Sequence, residues 1–307
     1  MSGYILRKLA MLPVVLLVVS ALIFLAVRML PGDPARLLAG PEAPSAVVAR
    51  IHEQLGLGRP LPEQYATFLG HAARGDLGVS IESRRPVSQE LAEHAPLTIA
   101  LGLVAYALAV GVGVPGGVLA AALPGGRWDR VFSALTISSA SLPSFWVGLM
   151  LMELFAVRLQ WLPLMGAGSP GAIVLPAVTL ALAPLGLIGR MTRASMIQIL
   201  SQDYIRTARA KGLGRVAIWF RHALRNALAP IVTIVGLNLG SVIGGAVVTE
   251  SVFSWPGVGR LLVEAVKFRD YPVIQGVTLL AVAAVVVVNL AAEIAIAILD
   301  PRMRGGR

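Results

Sequence analysis

The chain contains no cysteine, so neither a disulfide framework nor a thiolate metal site is open to it. Its only lysines are Lys8, Lys211 and Lys267, and none precedes Ser or Thr. That excludes a G-x-x-x-x-G-K-[ST] phosphate loop, and with it an ATPase of that type housed in this chain. The four histidines, His52, His71, His94 and His222, show no metal-ligand spacing, and His52-Glu53 lacks the second histidine one turn on that a zinc helix needs. Gly78-Val79-Ser80-Ile81-Glu82 misses the closing glycine of a nucleophile elbow. Charge is scarce as well: 14% of the residues are charged against 56% hydrophobic, and the mean hydropathy is +0.78. An ordinary soluble domain cannot have this composition. The net charge of +10 therefore points to a membrane surface rather than to nucleic acid.

What the chain does have is long charge-free runs. Arg7 and Lys8 precede a window from Leu9 to Val27, about the length that crosses a hydrocarbon core. Val19-Ser20-Ala21 resembles a signal cleavage site, but the apolar run continues to Leu25, which favours an uncleaved helix. Five further windows predict spans near 97–123, 131–156, 172–192, 229–249 and 273–299, making six in an all-helical polytopic protein. Between the first two spans, residues 31–95 read as a folded extracytoplasmic insert, with helices around Ala46–Gln54 and Glu63–Ala73. The expected organisation is thus 1–30 as N-terminal end and first span, 31–95 as insert, 96–302 as helical core, and 303–307 as tail.

Charge sets the expected orientation. The N-terminus, 124–130, 190–228 and 300–307 together hold fifteen Lys/Arg and three Asp/Glu, a net of +12. The rest of the chain, Glu293 within the last span set aside, holds eleven basic and twelve acidic residues, a net of −1. Both termini are therefore expected in the cytoplasm, with the insert outside. Within the spans, Gly236, Gly240 and Gly244 form one small-residue stripe, and Ala105, Ala109, Gly113 and Gly117 another. Such faces let helices approach closely in lipid. Gly111 to Gly117, with Pro115, is expected to bend its helix. Polar groups inside the spans are few: Asn238, Asn289, Glu153, Glu293, and Ser138, Ser139 and Ser141 ahead of Pro143. They mark either a water-filled path or helix-to-helix hydrogen bonds.

The longest polar interruption of the C-terminal half is 202–230, in which six Lys/Arg and His222 face one acid, Asp203. A short helix over Tyr204–Lys211, a break at Gly212-Leu213-Gly214 and a second amphipathic helix are expected there. Read by composition, the segment is an anionic-lipid contact. By residue order, Arg206-Thr207-Ala208-Arg209-Ala210-Lys211-Gly212 resembles the EAA loop of ABC importer permeases, E-A-A-x-x-x-G followed by I-x-L-P. Ala208, Gly212 and Leu224 fit that pattern, whereas Arg206, Thr207, His222 and Arg225 depart from it. These departures look like the variant of the dipeptide, oligopeptide and nickel importers, R-T-A-x-A-K-G with H-A-L-R-N-A-x-x-P.

Further stretches resemble the B-type permease subunit of those importers. They are PGDP at 31–34, LGLGRPL at 55–61, Gly75-Asp76-Leu77-Gly78-Val79-Ser80, Ser141-Leu142-Pro143-Ser144-Phe145, Glu250-x-Val252-Phe253-Ser254-Trp255-Pro256-Gly257, Arg269-Asp270-Tyr271-Pro272 and Leu299-Asp300-Pro301-Arg302. The resemblance implies a type I importer permease in the bacterial inner membrane, forming half of a pore for peptides. It implies a homologous second permease, two ATPase subunits or domains that bind ATP and Mg, and an extracytoplasmic solute-binding protein. No cofactor or metal is expected in this chain itself.

On that resemblance, Arg206 through Leu213 with His222 and Leu224 form the ATPase-coupling loop. Pore or gate candidates are Ser141, Pro143, Phe145, Asn238, Glu250, Phe253, Trp255 and Asn289. Ala208 is expected to enter a partner's cleft, and Gly212 to end the short helix in a left-handed conformation. Residues 250–259 are expected as a non-helical scoop at the pore mouth or, alternatively, as a surface loop held by Trp255. Nickel chelates and glutathione remain alternative substrates. An ion-driven secondary transporter and an intramembrane hydrolase using the serines with Glu153 or Glu293 are the readings from other classes.

Overall fold

A computed structural model describes residues 2–29, 34–40, 42–54 and 56–299. The motif residues Pro31–Asp33, Leu55 and Asp300–Arg302, and the 303–307 tail, lie outside them. Among the described residues there is no β-strand, only one isolated antiparallel bridge between Val79 and Pro86. In order, the helices are α1 (Ser2–Met29), α2 (Pro34–Ala39), α3 (Ser45–Gln54), α4 (Leu61–Ala72), α5 (Val87–Ala122), α6 (Arg127–Ser141) and α7 (Ser144–Leu151). They continue with α8 (Val174–Leu200), α9 (Asp203–Ala210), α10 (Leu224–Asn238), α11 (Ser241–Val252), α12 (Val258–Phe268) and α13 (Tyr271–Leu299). Two π-helical segments, Met152–Arg158 after α7 and Ala217–Ala223 before α10, complete the ladder.

All six apolar windows fall on helix, but several boundaries differ from expectation. Among the described residues, α5, α8 with its leading 3-10 turn, and α13 are each long and apolar enough to cross a membrane alone. The window at 131–156 is not one straight span. Leu142 is extended (ψ 135°) because it precedes Pro143, and the chain bends by 113° between α6 and α7. The 229–249 window is likewise split, at Leu239–Gly240, into α10 and α11. Helix α5 starts ten residues before the expected 97, at Val87, and so takes in the end of the insert. It runs through Pro115 without interruption.

The chain divides into two compact units. One comprises Thr98–Trp255 with the chain from Val285 onward. Its centre is α8, with twelve buried residues, against which α6, α7, α10 and α11 all pack. Small residues permit this. A Cβ on Gly117 would stand 2.6 Å from the Gly189 carbonyl oxygen, and one on Gly186 2.2 Å from Ser139 Oγ. The expected Ala105, Ala109, Gly113 and Gly117 face is buried throughout. The Gly236, Gly240 and Gly244 stripe is not a packing face, because the helix breaks within it. Gly240 seats against the Asn289 amide, whereas Gly244 has open space beside it. At one end of α6 and α8, Arg193 makes a two-pronged pair with Asp129 (Nε–Oδ1 2.6 Å, Nη2–Oδ2 2.9 Å). Gly125 N–H also donates to that carboxylate at 2.9 Å.

The other unit comprises Ser2–Leu97 and Pro256–Ala284. Val87, Leu91, Val258, Ala265, Val273 and Val277 form its core, and a Cβ on Gly276 would meet Val87 Cγ1 at 2.7 Å. Against α1, helix α4 packs Tyr65 and Phe68 around Phe24, with ring centroids 5.3 and 5.9 Å away.

Candidate functional site

The 202–230 segment folds onto its own unit through two residues of α9. Ile205 is fully buried and Ala208 is 8% exposed, in a cluster with Val118, Ala121, Met196, Ile218, Ala223, Ala227 and Ile231. These come from α5, α8, the π-helical segment and α10, so four elements fix the orientation of one short helix. Ala208, expected from its place in the motif to enter a partner's cleft, is instead packed against the chain's own helices. It is small because the chain's own helices close over it. What faces outward is basic: Arg206, Arg209, Lys211, Arg215, Arg221 and Arg225 are all exposed, and Asp203 is the one acid among them.

Helix α9 ends in a left-handed turn. Gly212 has φ +79°, its N–H donates to Arg209 O at 3.0 Å, and Leu213 N–H reaches back to Ala208 O at 3.3 Å. This pair of bonds satisfies carbonyls that the helix end leaves free, and Gly adopts the required φ without steric cost. The second short helix expected after Gly214 is not separate. From Arg215 the chain is helical through the π-helical segment directly into α10, and α9 joins it through the turn at 211–214. His222 and Leu224, both half-buried, sit at that junction, and His222 O accepts the Asn226 side-chain amide at 2.8 Å.

The pore candidates separate into two groups. Glu250 is fully buried, and Thr98 Oγ1 donates to its Oε1 at 2.6 Å. Phe253 is also buried, in a cluster with Met152 and Leu175, and its carbonyl accepts the Gly166 N–H at 3.0 Å. Trp255 is 4% exposed, which overturns the alternative of a surface loop held by Trp255. Helix α11 ends at Val252 and Ser254 is left-handed (φ 50°), so the chain here is not a continuous span. Ser141, Pro143 and Phe145, in contrast, are exposed at the α6–α7 bend, and Ser141 Oγ donates to its own helix at Ile137 O. Asn238 Nδ2 donates to Ile234 O on its own helix. Asn289 Oδ1 is buried without a hydrogen bond. The hydrolase reading finds no support: Ser139 and Ser141 donate to backbone carbonyls, and Glu153 pairs with Arg158 at 3.0 Å.

Two features escaped the sequence reading. Asp270 was visible only as part of a motif, yet it joins two segments far apart in the chain. Gln64, with Tyr65, was likewise visible only as part of a motif, yet its side chain is the hub of four hydrogen bonds.

Comparison with known proteins places these features in a family. Residues 113–305 match the family model described as binding-protein-dependent transport system inner membrane component, and residues 1–102 match that of its N-terminal part. The chain belongs to this family. It is a permease subunit of an ABC importer and a multi-pass inner-membrane protein. The chain is 44% identical over 305 residues to the glutathione transport system permease protein GsiC of Escherichia coli O6:H1, covering 99% of each. It is 45% identical, at the same coverage, to the protein of that name from Salmonella choleraesuis. In fold, the permease resembles chains of the MetNI methionine ABC transporter in inward-facing conformations. TM-scores are 0.59 and 0.60 at 21% and 20% identity, covering 68–69% of this chain and 96–97% of those chains.

Proposed function

We propose that this permease subunit forms half of a pore for a short peptide of the glutathione class, opened and closed by ATPase subunits that dock at α9. The observation that carries the substrate is the 44–45% identity to glutathione permeases over 99% of both chains. Glutathione is itself a short peptide, and it was the alternative held beside the dipeptides and oligopeptides expected from the sequence. For coupling, the support is the outward basic face of α9, a helix packed through Ile205 and Ala208 against the helical segment that runs into α10. The ATP and Mg belong to the ATPase subunits, a second permease completes the pore, and a solute-binding protein delivers substrate from the side of the insert. In this cycle, ATPase closure moves α9, the continuous helix through His222 and Leu224 carries the movement to α10, and the path opens outward. The charge asymmetry supports cytoplasmic termini.

The test is uptake by the assembled importer in cells lacking other peptide importers, using labelled glutathione and a labelled dipeptide. Uptake of glutathione that requires ATP and persists when the ion gradient is collapsed is expected. Uptake abolished by a protonophore at constant ATP would return the chain to the ion-driven class, and dipeptide uptake without glutathione uptake would move the substrate within the peptide class.

A further inference from the structure

A cavity of about 360 Å³ lies beside α1 and α4, within the range of roughly 300–1,000 Å³ typical of small-ligand sites. Arg28, Arg59, Gln64, His71, Asp76 and Gln275 are on its wall. Arg28 is held with care. Its Nε donates to Gln64 Oε1 at 2.8 Å, and its guanidinium carbon lies 3.7 Å above the Phe24 ring centroid. Gln64 can hold that orientation because its own amide is spent on Leu57 O (3.0 Å) and Arg59 O (2.8 Å). A guanidinium carries five N–H donors, and Gln64 takes two of them with a neutral oxygen. Among the described residues no carboxylate pairs with Arg28 or Arg59. The one acid on the wall, Asp76, is already engaged by His71 Nδ1 at 2.7 Å and Gly78 N–H at 3.0 Å. The cavity is thus a positive site with unused donors.

Its depth follows from α1, against which α4 is held. Tyr65 Oη donates to Leu17 O at 2.8 Å and shares a 2.8 Å hydrogen bond with Ser20 Oγ, and both partners lie in the charge-free window of α1. Arg28 is the first charge beyond that window, so it sits where phosphate groups are.

We propose that this cavity binds a phosphate group through Arg28 and Arg59, and that the group is the headgroup phosphate of an anionic phospholipid. The inference does not depend on the transported substrate. Its test is native mass spectrometry of the assembled importer extracted from membranes containing phosphatidylglycerol. Wild type is compared with Arg28→Gln and with Arg59→Gln, whose exposed side chain is not needed for folding. Thermal unfolding is recorded with inorganic phosphate alone. One retained phosphatidylglycerol per copy of this chain is expected, with occupancy falling about fivefold in each variant. Stabilisation of lipid-depleted protein by inorganic phosphate, lost in both variants, with no retained lipid, would make free phosphate the source. Equal lipid retention in all three proteins together with no response to phosphate would overturn the proposal.

Discussion

Ser80 and Asp270, 190 positions apart, share a 2.6 Å hydrogen bond in which the serine hydroxyl donates to a buried carboxylate. The same carboxylate accepts the Glu82 N–H at 3.2 Å and, through its other oxygen, the Val273 N–H at 3.3 Å. Asp270 is therefore the N-cap of α13 and the anchor of the 80–82 turn at once. Asp270→Ala leaves a buried hydroxyl and two N–H groups without this partner, and a loss of about 2 kcal/mol is expected. Asp270→Asn keeps one acceptor oxygen and should lose less. Thermal unfolding of the purified importer measures both, and equal stability of Asp270→Ala and wild type would contradict the anchoring role.

Gly212 offers a cleaner test of coupling. No atom lies within 4 Å of where its Cβ would be, so a substitution there strains only the backbone. Gly212→Ala should cost about 1–2 kcal/mol at that turn, the penalty for a side chain in the left-handed region. Gly212→Val should cost more. Since the bonds from Gly212 and Leu213 N–H fix the end of α9, the expected readout is reduced substrate-stimulated ATP hydrolysis by the importer, graded from Gly to Ala to Val. A flat series would separate the turn from coupling.

Ala208 and Arg209 are neighbours with opposite roles. Ala208→Trp introduces an indole into a cluster that has no room for it, so both thermal stability and retention of ATPase subunits should fall. Overpacking of this kind costs about 1–3 kcal/mol. Arg209→Gln removes an exposed charge and should leave stability unchanged while weakening ATPase retention. Co-purification stoichiometry and melting temperature, measured together, distinguish the two. Retention unaffected by Arg209→Gln and by charge removal at its neighbours Arg206 and Lys211 would show that the basic face is not the docking surface.

How much was legible in the sequence depended on the range of the interaction. Local signals read well. Gly212 ends a short helix because no other residue takes its φ so cheaply, and two insert helices, α3 and α4, were expected within about two residues, as boundaries usually are, although α2 was not. The α6–α7 bend was also written locally, in Leu142-Pro143, yet unbroken hydropathy across 131–156 concealed it. The stripe at Gly236, Gly240 and Gly244 assumed one continuous helix, and its period has no meaning across a break. What periodicity could not give was the direction of Ala208, because motif position says that the residue must be small and not which body is close to it. Nor could it show Gln64 holding Arg28, since that arrangement depends on a fold that brings positions 36 apart into contact.

The Asp129–Arg193 pair links α6 to α8, and its partners are unequal. The Asp129 side chain is 6% exposed and that of Arg193 32%. Removing the arginine leaves a nearly buried carboxylate with only the Gly125 N–H and a weak Ser133 contact, and about 3 kcal/mol is expected to be lost. Removing both charges with Asp129→Asn and Arg193→Met should recover part of that loss, since no uncompensated charge then remains. A double-mutant cycle on unfolding free energy reads the coupling. An Arg193→Met variant as stable as wild type would mean that the pair contributes nothing to holding the helices.

The last prediction concerns orientation, for which the +12 against −1 charge division is the physical ground. A cysteine-free chain allows single cysteines to be placed without further changes. Two alanines are suitable because both are exposed in the fold: Ala73, at the end of α4, and Ala210, in the last turn of α9. With the insert outside and α9 in the cytoplasm, an impermeant thiol reagent added to intact cells should label Ala73→Cys and spare Ala210→Cys. After permeabilisation both should react, which guards against a site that is covered rather than enclosed. ATPase subunits docked on α9 could themselves protect Ala210→Cys, so the permeabilised arm is repeated in cells expressing this chain without them. Labelling of Ala210→Cys in intact cells would invert the topology, and the basic face of α9 would then be on the wrong side of the membrane to meet an ATPase.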